Sequence, residues 1–216
     1  MAPDQFGAGF EPVIPDVVIR RLPIYARTLQ SLHEQTGSDS VSSDQLAEAI
    51  GVSGAQIRRD LSYFGRFGKQ GKGYDAHRLA DEINRILRLD QTWDVALVGF
   101  GNLGRAIAQY GGFVPSTFRI TCIFDRNDER IGQAIDGILV QRETLITETI
   151  KSMGVKIGII AVPQASAQIV ADALIEGGIE AILNYAPCHL RTPANVTVRN
   201  VDPVGAMQSM TYYLSN

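Results

Sequence analysis

A chain of 216 residues has room for two small domains or one large one. Apolar residues make up 45%, enough for packed cores, and 20% charged residues with a net charge of −3 exclude a polyanion-binding field over the whole surface. No apolar run approaches the roughly 18 residues of a membrane-spanning helix, and residues 1–15 lack the basic and apolar regions of a secretory signal.

Two cysteines, Cys122 in an apolar run and Cys188 in a loop, argue against a disulfide framework and fit a reducing cytoplasm. Three scattered histidines and these cysteines show no metal-ligand spacing, so neither a metal nor a membrane partner is expected.

Residues 1–14 carry Pro3, Gly7, Gly9 and Pro12 and read as a flexible tail. Val18, Leu22, Tyr25, Leu29 and Leu32 then recur at helical spacing, one apolar stripe. Pro15 suits the start of this helix, whereas Pro23 predicts a kink or a later start. Ser42 and Gln45 have capping-box spacing, and Gly51 is placed to end the helix they open. Ser53 and Gln56 repeat the capping spacing before a second helix, about 54–64. Its Ile57, Leu61 and Phe64 face inward, leaving Arg58, Arg59 and Ser62 outside. Two short helices around a Gly-Val-Ser turn, the second one basic, form a helix-turn-helix pattern.

Arg58 and Arg59 fall near the end of the helix that enters a major groove, where arginine reads guanine through O6 and N7. Ser53 and Gln56 stand at its start, where base and phosphate contacts are common. Residues 65–74 alternate four glycines with Arg66, Phe67, Lys69, Lys72 and Tyr74. This is either a flexible linker or the wing that follows a recognition helix, with its lysines directed at phosphates or a minor groove. It is not a Walker A loop, because Gly73 follows Lys72 where Ser or Thr is needed. Between Gly51 and Tyr74 five basic residues face Asp60 alone, a localised polyanion contact. Two arginines alone favour a solvated helix face; the preceding helix, the caps and the basic glycine run turn the balance to DNA. Asp75 then caps a helix with Leu79, Ile83, Ile86 and Leu87 inside, and residues 90–92 lead to a second domain.

That domain opens on an apolar strand, 95–98, running into Gly99, Gly101 and Gly104 at G-x-G-x-x-G spacing, with a helix from Leu103. Gly99 permits the tight turn, Gly101 lets a pyrophosphate approach the backbone, and Gly104 lets the helix pack on the strand. The N–H groups at the helix start, around Asn102 and Leu103, suit phosphate. A second apolar run ends at Asp125, 21 residues past Gly104, where a carboxylate accepts ribose hydroxyls and repels a 2′-phosphate, favouring NAD(H) over NADP(H). Arg126 beside it softens that preference. Further strands at 138–140, 157–162, 181–183 and 196–201 alternate with helices at 103–110, 143–153, 166–176 and 203–214, predicting a doubly wound parallel sheet. Val162 and Pro163 end a strand on the ligand side of such a sheet and line a nicotinamide or ribose, or form an ordinary loop. His189 is the one nameable acid or base for an enzyme. In the last helix Met207, Met210, Tyr213 and Leu214 share helical spacing; they pack on their own sheet or serve a partner, and a terminal helix exchanges easily between protomers.

The run Gln56-Ile57-Arg58-Arg59-Asp60-Leu61-Ser62-Tyr63-Phe64-Gly65, the glycines Gly68, Gly71 and Gly73 with Tyr74, the segment Val98 to Ala106, and Asn200-Val201-Asp202 with the closing Tyr212-Tyr213-Leu214 together resemble the Rex family of redox-sensing transcriptional repressors. The likeness runs from about residue 14 to the end. It implies a homodimer with an N-terminal winged helix (residues 15–91) and a Rossmann domain (92–202) that binds NADH. It also implies a terminal helix (203–216) swapped onto the partner. NADH closes the dimer and releases the operator; NAD⁺ competes without driving release as well. Carried over, Arg58 and Arg59 match the recognition helix, and Lys69, Lys72 and Tyr74 the wing. Gly99, Gly101, Gly104 and Asp125 match the cofactor site. Arg27, Tyr110 and Asp202 match a polar set linking the domains across the dimer. Phe100 departs from the small residue the family often has there. The expected function is therefore a repressor of inverted-repeat operator DNA that responds to NADH and NAD⁺. An NAD-dependent oxidoreductase using His189 is the rival, and a CoA- or nucleotide-binding module a third reading.

Overall fold

The computed structural model describes residues 14–68, 73–110 and 117–214. The chain divides into two compact units between Asp90 and Gln91.

In the first unit, α1 (Asp16–Thr36) begins directly after Pro15 and runs through Pro23. The start is thus not delayed. Pro23 removes one helical N–H, but Val18, Leu22, Tyr25, Ala26 and Leu29 are buried on the same face and outweigh that loss. After β1 (Ser40–Val41) comes α2 (Ser43–Ile50), opened by a reciprocal capping box. Gln45 N–H donates to Ser42 Oγ at 3.1 Å, and Ser42 N–H to Gln45 Oε1 at 2.8 Å. Gly51 ends it at φ +81°, and α3 (Gly54–Ser62) follows from the Ser53 cap. Helix α3 stops two residues before the predicted end. There Tyr63 and Phe64 N–H turn to the carbonyls three residues back, tightening the last turn. Strand β2 (Tyr74–Asp75) pairs antiparallel with β1, Val41 opposite Tyr74, and leads into α4 (Ala76–Ile86). Leu22, Leu29, Leu46, Ile57, Leu79 and Ile83 form the core of the unit.

The second unit is a seven-stranded sheet built from β3 (Trp93–Val98), β4 (Phe118–Asp125), β5 (Ala134–Ile135), β6 (Ile138–Arg142), β7 (Ile157–Ile160), β8 (Ala181–Asn184) and β9 (Thr197–Asn200). Their order is β5-β6-β4-β3-β7-β8-β9, and every pairing is parallel except the β5–β6 hairpin, which was not expected. The strands alternate faces. Ala96, Val98, Cys122, Phe124 and Ile160 pack under α6 (Ile146–Met153) and α7 (Gln164–Gly177), while Val95, Leu97, Ile123 and Ile159 turn to the face of α5 (Asn102–Ala108). The six parallel strands follow the dinucleotide-fold order, in which the chain reverses direction across the sheet between β3 and β7. The final helix, α8 (Pro203–Thr211), buries none of its side chains; Met207 and Met210 are 59% and 63% exposed.

Candidate functional sites

The glycine loop sits where β3 hands over to α5. Gly99 holds φ +98°, and a Cβ there would meet Ala161 O at 2.4 Å; a Cβ on Gly104 would meet Gly99 O at 1.8 Å. Strand β3, the loop, α5 and β7 therefore close on one another only with glycine at both positions. Gly101 faces outward, its missing Cβ 3.6 Å from the Arg130 guanidinium.

A pocket of about 450 Å³ opens at the carboxyl ends of β3, β4 and β7, the size of a ligand cleft. Gly99, Gly101, Asn102 and Leu103 line one side, Asp125 and Arg126 another, and Val162 and Pro163 the third, so eight of the expected cofactor residues meet there. Gly104 lies behind the wall as a packing residue. Tyr110 and Asp202, expected at the cofactor, are not on the pocket wall. Tyr110 follows α5 and is 63% exposed; the Asp202 carboxylate caps α8, accepting Gly205 N–H at 2.9 Å. Arg27 is exposed on α1 in the other unit.

Asp125 has a structural duty that its spacing does not disclose. It is 4% exposed and accepts three donors: Phe100 N–H at 2.6 Å, Asn127 N–H at 2.8 Å and Arg130 Nη1 at 3.1 Å. Burial pushes its carboxyl up. The Asn127 and Phe100 amides and the Arg130 guanidinium outweigh this and hold it below the usual range. The carboxylate thus pins the glycine loop, and its charge is already paired. Arg126 turns to Ser166, donating to Oγ at 3.1 Å. Sequence reasoning missed Asn127, Arg130, Glu143 and Ser166 on the pocket wall. Arg130 lies only five residues past Asp125, but the tight turns after β4, which replace a crossover helix, are what fold it back. Phe100 does not crowd the pocket: it is 1% exposed in the core, with the Arg105 guanidinium 4.5 Å from its ring centre. His189 is exposed and not on the pocket wall. Cys122 is buried, and burial pushes its thiol up to about 11, so it stays protonated and inert near neutrality.

In the first unit a cleft of about 560 Å³ runs between the start of α2, the outer face of α3 and residues 65–68. Arg58 and Ser62 line it. Arg58 folds back, donating to Ser43 Oγ and lying 3.7 Å from Asp44. Arg59 is exposed and makes no ion pair with a described residue. Ser53 caps α3, its hydroxyl oxygen accepting Gln56 N–H at 3.1 Å. Gln56 is drawn inward, its amide donating to Asp60 Oδ1 at 2.6 Å. Asp60, 1% exposed, also receives both arms of Arg21 at 2.6 and 2.9 Å and the Tyr25 hydroxyl at 2.6 Å. Burial raises its carboxyl, but the three partners together hold it below the usual range, while burial and Asp60 push the Tyr25 phenol far up. Asp60 is therefore the fastener between α1 and α3. Tyr74, expected among the DNA contacts, is 9% exposed and packed in the core opposite Val41. Lys69 and Lys72 lie outside the described residues.

Residues 90–188 match the family described as "CoA binding domain", and residues 13–62 match "Putative DNA-binding protein N-terminus". Among curated proteins, the chain is 53% identical to the redox-sensing transcriptional repressor Rex of Chloroflexus aggregans, over 93% of this chain and 94% of that one. It is 42% identical to the Rex of Streptomyces coelicolor, covering 93% of this chain and 77% of that one. Among solved structures it is similar to RSP in complex with β-NAD⁺ and operator DNA, with TM-score 0.87, 38% identity, and 93% and 92% of the two chains covered. It is also similar to RSP in complex with β-NADH, with TM-score 0.84, 35% identity, and 93% and 94% covered.

Proposed function

The chain belongs to the Rex family of redox-sensing transcriptional repressors, and we propose that it acts as a homodimer on inverted-repeat operator DNA and leaves it when NADH fills the glycine-loop pocket. The observation that carries this is one chain holding both a capped helix-turn-helix and an open dinucleotide-type pocket at the sheet's switch point. That RSP is described with β-NAD⁺ and operator DNA together, and with β-NADH, supports the same pair of ligands here. A role on operator DNA with free NADH is in keeping with a cytoplasmic location. The nucleotide is read rather than turned over.

The backbone around Gly101 and the α5 start takes the pyrophosphate, with Arg126 and Arg130 beside it. Asp125 faces the adenosine ribose with its remaining acceptor capacity. Val162 and Pro163 border the nicotinamide half. The reduced nicotinamide ring is neutral and the oxidised ring cationic, so an apolar surrounding favours NADH by sparing the cost of desolvating a charge. Release requires that NADH bind the DNA-incompetent dimer better than the DNA-bound one; a coupling of about 1–3 kcal/mol changes operator affinity roughly 5–150-fold. Arg27, Tyr110 and Asp202 are the coupling set, with Asp202, at the start of helix α8, supplied to the partner along with that helix. On the DNA, Arg59 and a released Arg58 read bases, Ser53, Ser62, Lys69 and Lys72 meet phosphates, and Tyr74 supports the wing from within the core.

The deciding experiment is an anisotropy titration of a fluorescent inverted-repeat operator with NADH or NAD⁺ added separately. Release by NADH at far lower concentration than by NAD⁺ is expected. Operator binding indifferent to both nucleotides would overturn the sensing role.

A further inference from the structure

The chain contains three histidines, and folding brings two of them, 44 positions apart, into ring contact. His33 stands in the last turn of α1 and His77 in the first turn of α4; their ring centres are 4.0 Å apart at an interplanar angle of 64°. Asp39 joins them, its Oδ1 3.4 Å from His33 Nδ1. Donor atoms of all three residues lie within 4.8 Å of one another, the one such trio of histidine, cysteine and acidic residues among the described residues.

The backbone under these side chains is set by contacts that do not involve them. Gly37, left-handed at φ +64°, ends α1 by donating its N–H to the His33 carbonyl at 2.8 Å. The Asp39 carbonyl accepts Ala76 N–H at 2.8 Å, and Ser40 pairs with Asp75. Asp75 in turn caps α4, accepting Arg78 N–H at 2.9 Å. Three elements thus present two imidazoles and a carboxylate to one point, on side chains left in or near solvent.

We infer that His33, Asp39 and His77 form a surface site for a divalent transition-metal ion of the Zn²⁺ type, clamping the end of α1 to the start of α4. Two imidazoles with one carboxylate match borderline ions; Mg²⁺ and Ca²⁺ ask for oxygen ligands throughout. Ligands about 2.0–2.1 Å from a tetrahedral zinc stand roughly 3.3 Å from each other. The His33–Asp39 separation of 3.4 Å already meets this. The longer separations close by rotation of Asp39 and His77, both exposed. Three protein ligands leave the fourth position to water. His33 Nδ1 also lies 3.2 Å from the Ser38 carbonyl, an exposed group that water satisfies once the nitrogen takes a metal.

The test uses the full, untagged chain and ZnCl₂ alone, followed by isothermal titration calorimetry and by thermal unfolding. Saturable binding of one ion per chain with a raised Tm is expected. His33→Gln and His77→Ala, each with unchanged circular dichroism, should weaken binding by at least about tenfold, since even outer partners of a metal ligand are worth that much. His189→Ala, which removes the third histidine, should leave the titration unchanged. Absence of saturable binding, binding that survives the His33→Gln/His77→Ala double variant, or its loss in His189→Ala would each overturn the site.

Discussion

At the scale of single residues, the two buried carboxylates carry more structure than chemistry. Asp125 sits where ribose recognition is expected, yet three protein donors already converge on it. Asp125→Ala leaves the buried Phe100 N–H without an acceptor, a loss of about 1–3 kcal/mol in stability, and loosens the glycine loop. A lower Tm together with weaker NADH binding by fluorescence titration is the expected pair of outcomes; an unchanged Tm would restrict Asp125 to ligand contact. Arg59 is an exposed arginine on α3 without an ion pair to a described residue. Arg59→Ala should cost roughly 1–3 kcal/mol in operator affinity if it reads a base. If it meets only phosphate, the variant instead lowers the slope of log K against log salt by about one. Titrations at several salt concentrations separate the two. The contact with Asp60 explains why the amide of Gln56, read from the sequence as a candidate base or phosphate contact, is turned toward the α1–α3 tether.

At the scale of elements, the tether from α1 to α3 and the joint between β3 and α5 decide how rigid each unit is. Asp60 has a depressed carboxyl pKa, so its contribution is fully present above the ordinary carboxylate value of 3.8 and is lost as pH falls through the lower folded value. Thermal unfolding of the wild type and of Asp60→Asn should therefore differ near neutrality and converge in acid. Arg21→Ala strands the buried carboxylate and should destabilise the first unit by about 3 kcal/mol. The second joint gives a cleaner separation of functions. Gly104→Ala places a methyl against Gly99 O, so it should abolish NADH binding while operator binding persists and no longer responds to NADH. Loss of both activities would mean that the loop supports the fold rather than the ligand alone.

At the scale of the whole molecule, helix α8 and the residues after it present an uncovered apolar surface among the described residues. Val204, Met207, Met210, Tyr213 and Leu214 are all more than half exposed, and no residue of the helix is buried within its own chain. A proposed exchange of this helix covers that apolar face and brings Asp202 beside the partner. Met210→Asp combined with Leu214→Asp should then give a monomer by analytical ultracentrifugation, with operator binding reduced to single half-site strength. A variant that remains dimeric would place the interface elsewhere.

Periodic and local signals were sufficient for much of this protein. The capping box at Ser42 and Gln45, the Ser53 cap, the glycine spacing and the alternating strands each depend on neighbours a few residues apart, so they are visible in the chain itself. The strands' apolar runs and the helices between them likewise predicted the parallel sheet. What depended on long-range approach was not visible. The start of α1 ahead of Pro23 rests on burial by other helices. The inward turn of Tyr74 rests on pairing with Val41, and the saturation of Asp125 on the fold-back of Arg130. The meeting of His33 with His77 needed α1 and α4 to pack. Sequence by itself determined the main helices, the parallel strands and the glycine turns, because those follow from spacing and from φ. Tertiary structure alone decided which polar side chains are spent inside the protein and which stay free for DNA, nucleotide or metal, because that depends on partners brought together only when the chain closes.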